Sequence, residues 1–235
     1  MKQPPLFWLL ILIAGFSPIM ANAADPQAVP AARSTPAGAP VVREVAVGNL
    51  VYAGTKTSKC FSGNFIAGVG RKVGIPVRKD FVSIRTEDPK QLAGVAFAVM
   101  TGEGSFTLTT AERTNLRQWL ENGGFLLASA SCSSKEWSAS FRAEMRQLYG
   151  ASALTSLEAA HPLFRTLHDL RSIPLKHDGA ARFEGVIQDG RLVCLFSPEG
   201  LNDTKNVKGC CCCGGNEVVN AEEVVSNALV YALVE

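Results

Sequence analysis

Two unbroken apolar runs, Val95 to Met100 and Phe125 to Ala130, constrain this chain more than any other feature. Neither alternates between apolar and polar residues, so each reads as a strand buried on both faces, the situation of a parallel sheet covered by helices. Gly94 and Gly102 bound the first run, and one capped amphipathic helix separates it from the second. Its start is marked by Thr109 and Glu112, a capping box, and its buried stripe by Leu116, Trp119 and Leu120, with Asn122-Gly123-Gly124 as the stop. A strand, a crossover helix and a second buried strand make a parallel unit.

The same alternation extends in both directions. Val45 to Ala53 is an apolar strand ending at Gly54, and Ile66, Val69 and Val73 recur at helical spacing up to Gly74. Asp80 to Thr86 alternates and reads as a strand nearer the sheet edge. Beyond Phe125 to Ala130, Ser133 and Glu136 repeat the capping box, and Trp137, Phe141, Met145 and Leu148 line a helix closed at Gly150. A short strand follows at Leu154 to Leu157. Asp189-Gly190, between Glu184 to Gln188 and Arg191 to Phe196, is a two-residue hairpin signal, and Asn220 with Glu223 opens a last helix. The expected fold is a three-layer α/β sandwich on a mainly parallel, flavodoxin-like sheet, with a β-hairpin near the C-terminus.

Ahead of that domain, Lys2, the apolar run Leu6 to Phe16 and Ala21-Asn22-Ala23 form a secretory signal peptide over residues 1–23, cleaved after Ala23. Residues 24–44 are rich in alanine and proline and read as a linker, leaving 45–235 as the folded domain. The apolar core of the leader is too short for a comfortable membrane span. A periplasmic or secreted protein without a span after cleavage is the expectation. Of 23 basic and 21 acidic side chains only Lys2 lies in the leader, so the mature chain has no field that would draw nucleic acid or an anionic membrane. A protein partner stays open.

The seven cysteines need a separate account, because an apolar content of 47% is enough to fold the domain without metals or bridges. Four are consecutive, Cys210-Cys211-Cys212-Cys213, between Gly209 and Gly214-Gly215. Adjacent side chains on an extended segment point to opposite sides, so one ion takes two of the four unless the glycine-flanked backbone bends. Cys60 and Cys132 are the candidates for the remaining ligands. Both follow strands at junctions with helices, where a parallel sheet binds its ligands. Cys60, Cys132 and Cys210, Cys211, Cys212 and Cys213 are thus the expected metal site, and thiolates suit zinc, Cu(I) or an iron–sulfur centre. In an oxidising compartment the same residues could form structural disulfides instead. Cys194 lies inside a strand and reads as a buried small apolar residue. His168 and His177 match no ligand spacing, while Glu103, His161 and Glu217 could reach the same rim.

Met100-Thr101-Gly102-Glu103-Gly104-Ser105-Phe106-Thr107-Leu108, Leu116 to Trp119 and Glu121-Asn122-Gly123-Gly124-Phe125-Leu126-Leu127-Ala128 resemble the bacterial domain-of-unknown-function family 4159. Ser140-Phe141-Arg142, His161-Pro162-Leu163-Phe164, Gly185 to Pro198 and Asn227 to Leu233 extend the likeness. It implies the class I glutamine-amidotransferase-like fold across 45–235. Active enzymes of that fold hold a cysteine on a tight turn between flanking glycines, with a later His-Pro-Glu. Cys132 corresponds to the cysteine, but Ala130 and Ser134 stand at the glycine positions and Leu163 replaces the glutamate. Glutaminase activity is therefore not expected, and His161 reads as the cap of a short helix begun by Pro162. The alternative enzyme reading uses Cys132 for nucleophilic or redox chemistry, with His161 as its partner.

Overall fold

The computed structural model describes residues 43–57, 63–201 and 218–235. Among these described residues eight strands form one mixed sheet, β1 (Val47–Tyr52), β2 (Lys56–Thr57), β3 (Val82–Arg85), β4 (Phe97–Gly102), β5 (Phe125–Ala130), β6 (Thr155–Ser156), β7 (Glu184–Gln188) and β8 (Arg191–Ser197). Five helices join them, α1 (Gly63–Val73), α2 (Pro89–Ala93), α3 (Thr110–Glu121), α4 (Lys135–Tyr149) and α5 (Ala221–Val234). Strands β3, β1, β4, β5 and β8 lie side by side in that order and run parallel. On the far flank β7 returns antiparallel to β8 and β6 antiparallel to β7, while β2 folds back on the end of β1.

The period-2 geometry of the central strands distributes their side chains between two cores. Val47, Phe97, Val99, Phe125 and Leu127 face α1 and α5, meeting Ile66, Val69, Val224, Val225, Ala228 and Leu229. Leu50, Ala98, Met100, Leu126 and Ala128 face α2, α3 and α4, meeting Leu92, Leu116, Trp119, Trp137, Phe141 and Met145. Every residue of β5 is buried, as its non-alternating and mostly apolar sequence demands, Ser129 near its end being the one polar side chain. Residues 42–235 are one compact unit.

Local signals account for most element ends. Thr109 and Glu112 make both hydrogen bonds of the capping box. The β7–β8 turn places Asp189 at φ 50° and Gly190 at φ 83°, the two left-handed residues of the turn that matches strand twist. At α4 the structure differs from the expected cap. Ser134, not Ser133, accepts from Trp137 N–H (3.2 Å), because Cys132 and Ser133 are spent in a short turn before the helix. Asn220 precedes α5 without a side-chain capping bond, so Glu223 completes no box there. α2 had no counterpart in the sequence reading. Its five residues start from Asp88, whose carboxylate accepts from Lys90 and Gln91 N–H, with Pro89 in the first turn.

Candidate functional site

Parallel registry brings three strand ends to one edge. Gly102 pairs with Ala130, and Ser129 with Ser197, so β4, β5 and β8 stop at the same level. Here the apolar interior gives way to Thr101, Ser129, Ser131 and Ser197, all buried. Buried hydroxyls need partners, and these have them. Thr101 Oγ1 and Ser131 Oγ lie 3.1 Å apart, Leu201 N–H donates to Ser129 Oγ (3.0 Å), and Ser197 Oγ donates to the Glu199 carbonyl (2.6 Å).

Between β1 and β4, where the strand order reverses and an open sheet usually has its crevice, aromatic side chains fill the space. Tyr52 Oη donates to the Thr101 carbonyl (2.9 Å) and accepts from Trp137 Nε1 (2.7 Å). Burial pushes the Tyr52 phenol up to about 12, against the opposing pull of the Trp137 bond. A neutral phenol at every ordinary pH serves packing rather than proton transfer. A methyl at Gly102 would meet the Tyr52 hydroxyl and lie 2.7 Å from Trp137 Nε1, which explains the glycine.

Cys132 stands just past β5 with φ 50° and ψ 30°, and Ser133 follows at φ 51°. Two successive non-glycine residues in the left-handed region cost about 1 kcal/mol or more each. The surrounding bonds impose that conformation. Ser134 N–H donates to the Ser131 carbonyl (2.9 Å), and Ser134 Oγ accepts from both Trp137 N–H and Gly104 N–H (3.3 Å). The turn presents the half-exposed Cys132 thiol over the edge, where Sγ donates to Glu103 Oε1 at 3.5 Å. Glu103 follows β4 at the same level, as its position in the sequence suggests.

Cys60, Cys210, Cys211, Cys212, Cys213 and Glu217 lie outside the described residues. The chain on either side of them is described. Thr57 pairs with Val51 at the end of β1, Leu201 N–H donates to Ser129, and Val218 N–H donates to the Gly200 carbonyl (3.3 Å). Among the described residues no group of three or more histidine, cysteine or acidic side chains is arranged to hold a metal ion.

His161 caps the turn Pro162–Arg165, its Nδ1 accepting from Leu163 N–H (3.2 Å), as expected from the sequence. Its ring is 6.1 Å from that of Tyr231, whose hydroxyl accepts from Leu192 N–H at the beginning of β8. Burial lowers the His161 pKa. Cys194 is fully buried in β8 and its thiol is pushed well above the ordinary range by desolvation, in keeping with a packing role.

One residue of the edge escaped the sequence reading. Glu199, just beyond β8, is half-buried, its carboxyl is raised by desolvation against the opposing backbone N–H groups of Glu199 and Arg182 and the charges of Arg182 and Arg142, and its Oε2 is buried without a hydrogen-bond partner among the described residues. The available signal was its place, directly after the apolar strand Leu192 to Phe196. Behind it Arg142 holds Glu184 through two nitrogens and lies over the Phe196 ring at 5.1 Å.

The family model described as a domain of unknown function, DUF4159, matches residues 49–233, and the chain belongs to that family. No curated protein gives a significant match. Among the described residues no helix is long and apolar enough to cross a membrane.

Proposed function

We propose that this DUF4159 chain is an exported binding domain of amidotransferase-like fold whose carboxyl-edge thiols hold a soft metal ion. The parallel order β3-β1-β4-β5-β8 is that of flavodoxin-like sheets, which supports the fold reading. One observation carries the functional reading. Cys132 is presented over the edge in a left-handed turn, and the flanks of both other cysteine-bearing segments, Thr57 and Leu201, attach to strands β1 and β5 of that sheet. In this reading Cys132, Cys60 and members of Cys210 to Cys213 supply thiolates, and metal binding displaces the proton that Cys132 now shares with Glu103.

Zinc, Cu(I) and an iron–sulfur centre all suit such a donor set. The test is metal analysis of full-length protein purified without chelator, with thiols counted on the same sample. Equimolar metal that falls below half in a Cys60→Ser, Cys132→Ser double variant of unchanged circular dichroism supports the proposal. Metal content unchanged by the double substitution sinks it.

The second reading, thiol chemistry at Cys132, rests on the backbone strain and the Glu103 contact. His161 caps its own short turn, with Nδ1 accepting from Leu163 N–H. Glutamine hydrolysis is not expected, and ammonia release from glutamine that disappears in Cys132→Ala would favour this reading over the first.

A further inference from the structure

A cavity of about 460 Å³ opens on the far flank of the sheet, between the strand-edge segment after β6 and the loop before β7. That volume lies in the range of small-molecule sites, roughly 300–1,000 Å³. Its floor is apolar, formed by Phe164, Leu170, Ile173 and Phe183, all buried. Three backbone bonds join its walls. Leu157 N–H donates to the Phe183 carbonyl (2.9 Å), Leu170 N–H to Phe164 (2.8 Å) and Ala181 N–H to Ile173 (2.8 Å). A cavity held by main-chain bonds is formed before any ligand arrives. It also sits at the favoured level, since Glu184, next to Phe183, pairs with Phe196 near the carboxyl end of β8.

The charges at its mouth identify what would fit. Of the three charged side chains that line it, Arg171 is already engaged by Asp169 (2.8 Å). Glu158 and Arg182 remain, both exposed at the rim; among the described residues neither is in an ion pair within 4 Å, and Arg182 acts on the Glu199 carboxyl only at longer range. One guanidinium, one carboxylate and an aromatic-aliphatic floor are complementary to a zwitterion with an apolar body. An anion alone would leave Glu158 facing it with like charge, and a cation alone would meet Arg182.

We infer that this cavity binds a free apolar α-amino acid, its carboxylate on Arg182, its ammonium on Glu158 and its side chain on the Phe164 and Phe183 floor. The inference uses no cysteine and stands independently of the metal proposal.

Phenylalanine is the probe, titrated calorimetrically into the full chain beside N-acetylphenylalanine and phenylalaninamide, which each lack one charge. Phenylalanine is expected to saturate one site, with both analogues weaker by about tenfold or more. Glu158→Gln should remove the preference over the N-acetyl compound, and Arg182→Gln the preference over the amide. Both substitutions are at exposed positions and should leave circular dichroism unchanged. Ala180→Trp, at the exposed rim, should block all three ligands. No saturable binding of phenylalanine, preferences that survive both glutamine variants, or binding indifferent to Ala180→Trp would each overturn the inference.

Discussion

Strands β5 and β8 differ sharply between their interiors and their carboxyl ends, and two cysteines mark the contrast. Cys194, inside β8, is completely enclosed by apolar neighbours and serves as a small hydrophobe. Cys132, two residues past β5, is half-exposed, sits in a left-handed turn and donates to a carboxylate. The interior tolerates only groups without hydrogen-bonding needs, whereas the ends carry hydroxyls and a thiol whose partners come from loops. Residue type alone therefore does not identify the chemistry. Position relative to the strand end does, because that is where backbone groups and side chains turn from the ladder toward a ligand.

The strongest challenge to this contrast is Gly102→Ala, placed where interior becomes edge. The new methyl would collide with Tyr52 and Trp137, which are locked to each other by a hydrogen bond, so neither can give way freely. Destabilisation of about 3 kcal/mol is expected in denaturant unfolding, and a loss below about 1 kcal/mol would show that the junction is looser than described. Next comes the paired comparison of the two thiols. Cys194→Ser buries a hydroxyl among apolar side chains and should cost about 2 kcal/mol. Cys132→Ser should change stability by less than about 0.5 kcal/mol. Equal costs would erase the distinction between the regions.

Ser129→Ala leaves the buried Leu201 N–H without its acceptor and should cost about 1 kcal/mol. Thermal melts that do not shift would show that this hydroxyl is not what fixes the chain after β8. The smallest effect concerns Glu199, whose folded-state pKa is raised by burial. A carboxyl raised on folding favours the folded state below its unfolded pKa, and that contribution disappears as pH rises through the folded value. Glu199→Gln should therefore melt above the parent chain near neutral pH and converge with it toward pH about 4, the usual carboxyl range. A variant less stable at neutral pH would mean that Arg142 and Arg182 outweigh desolvation.

Much of the fold was legible because it is local. Two unbroken strands, one complete capping box and an Asp-Gly turn each carry their structure in adjacent residues. What escaped depends on residues distant in sequence. Glu112 reads as an ordinary cap, yet it is 1% exposed, because its carboxylate also accepts from Ala53 N–H and Thr86 Oγ1. Glu144 is buried in α4 because Arg113 of α3 pairs with it (2.6 Å). The cap of α4 shifted by one residue for a similar reason, since Ser134 also serves Gly104 across the edge. At the site, Cys132 and Glu103 could be placed by counting from strand ends. His161 could not, because its position follows from a long irregular connection packed against α5 rather than from the sheet.

The central claim, a shared thiolate site at the carboxyl edge, is tested most directly by peptide-resolved alkylation of the native full-length chain before and after a strong chelator. Cys132, Cys60 and at least two of Cys210 to Cys213 are expected to be protected together and labelled together on chelation, while Cys194 stays unlabelled until the protein is unfolded. Labelling of Cys132 at the same rate with and without chelator, while the loop cysteines respond or remain disulfide-bonded, would contradict it.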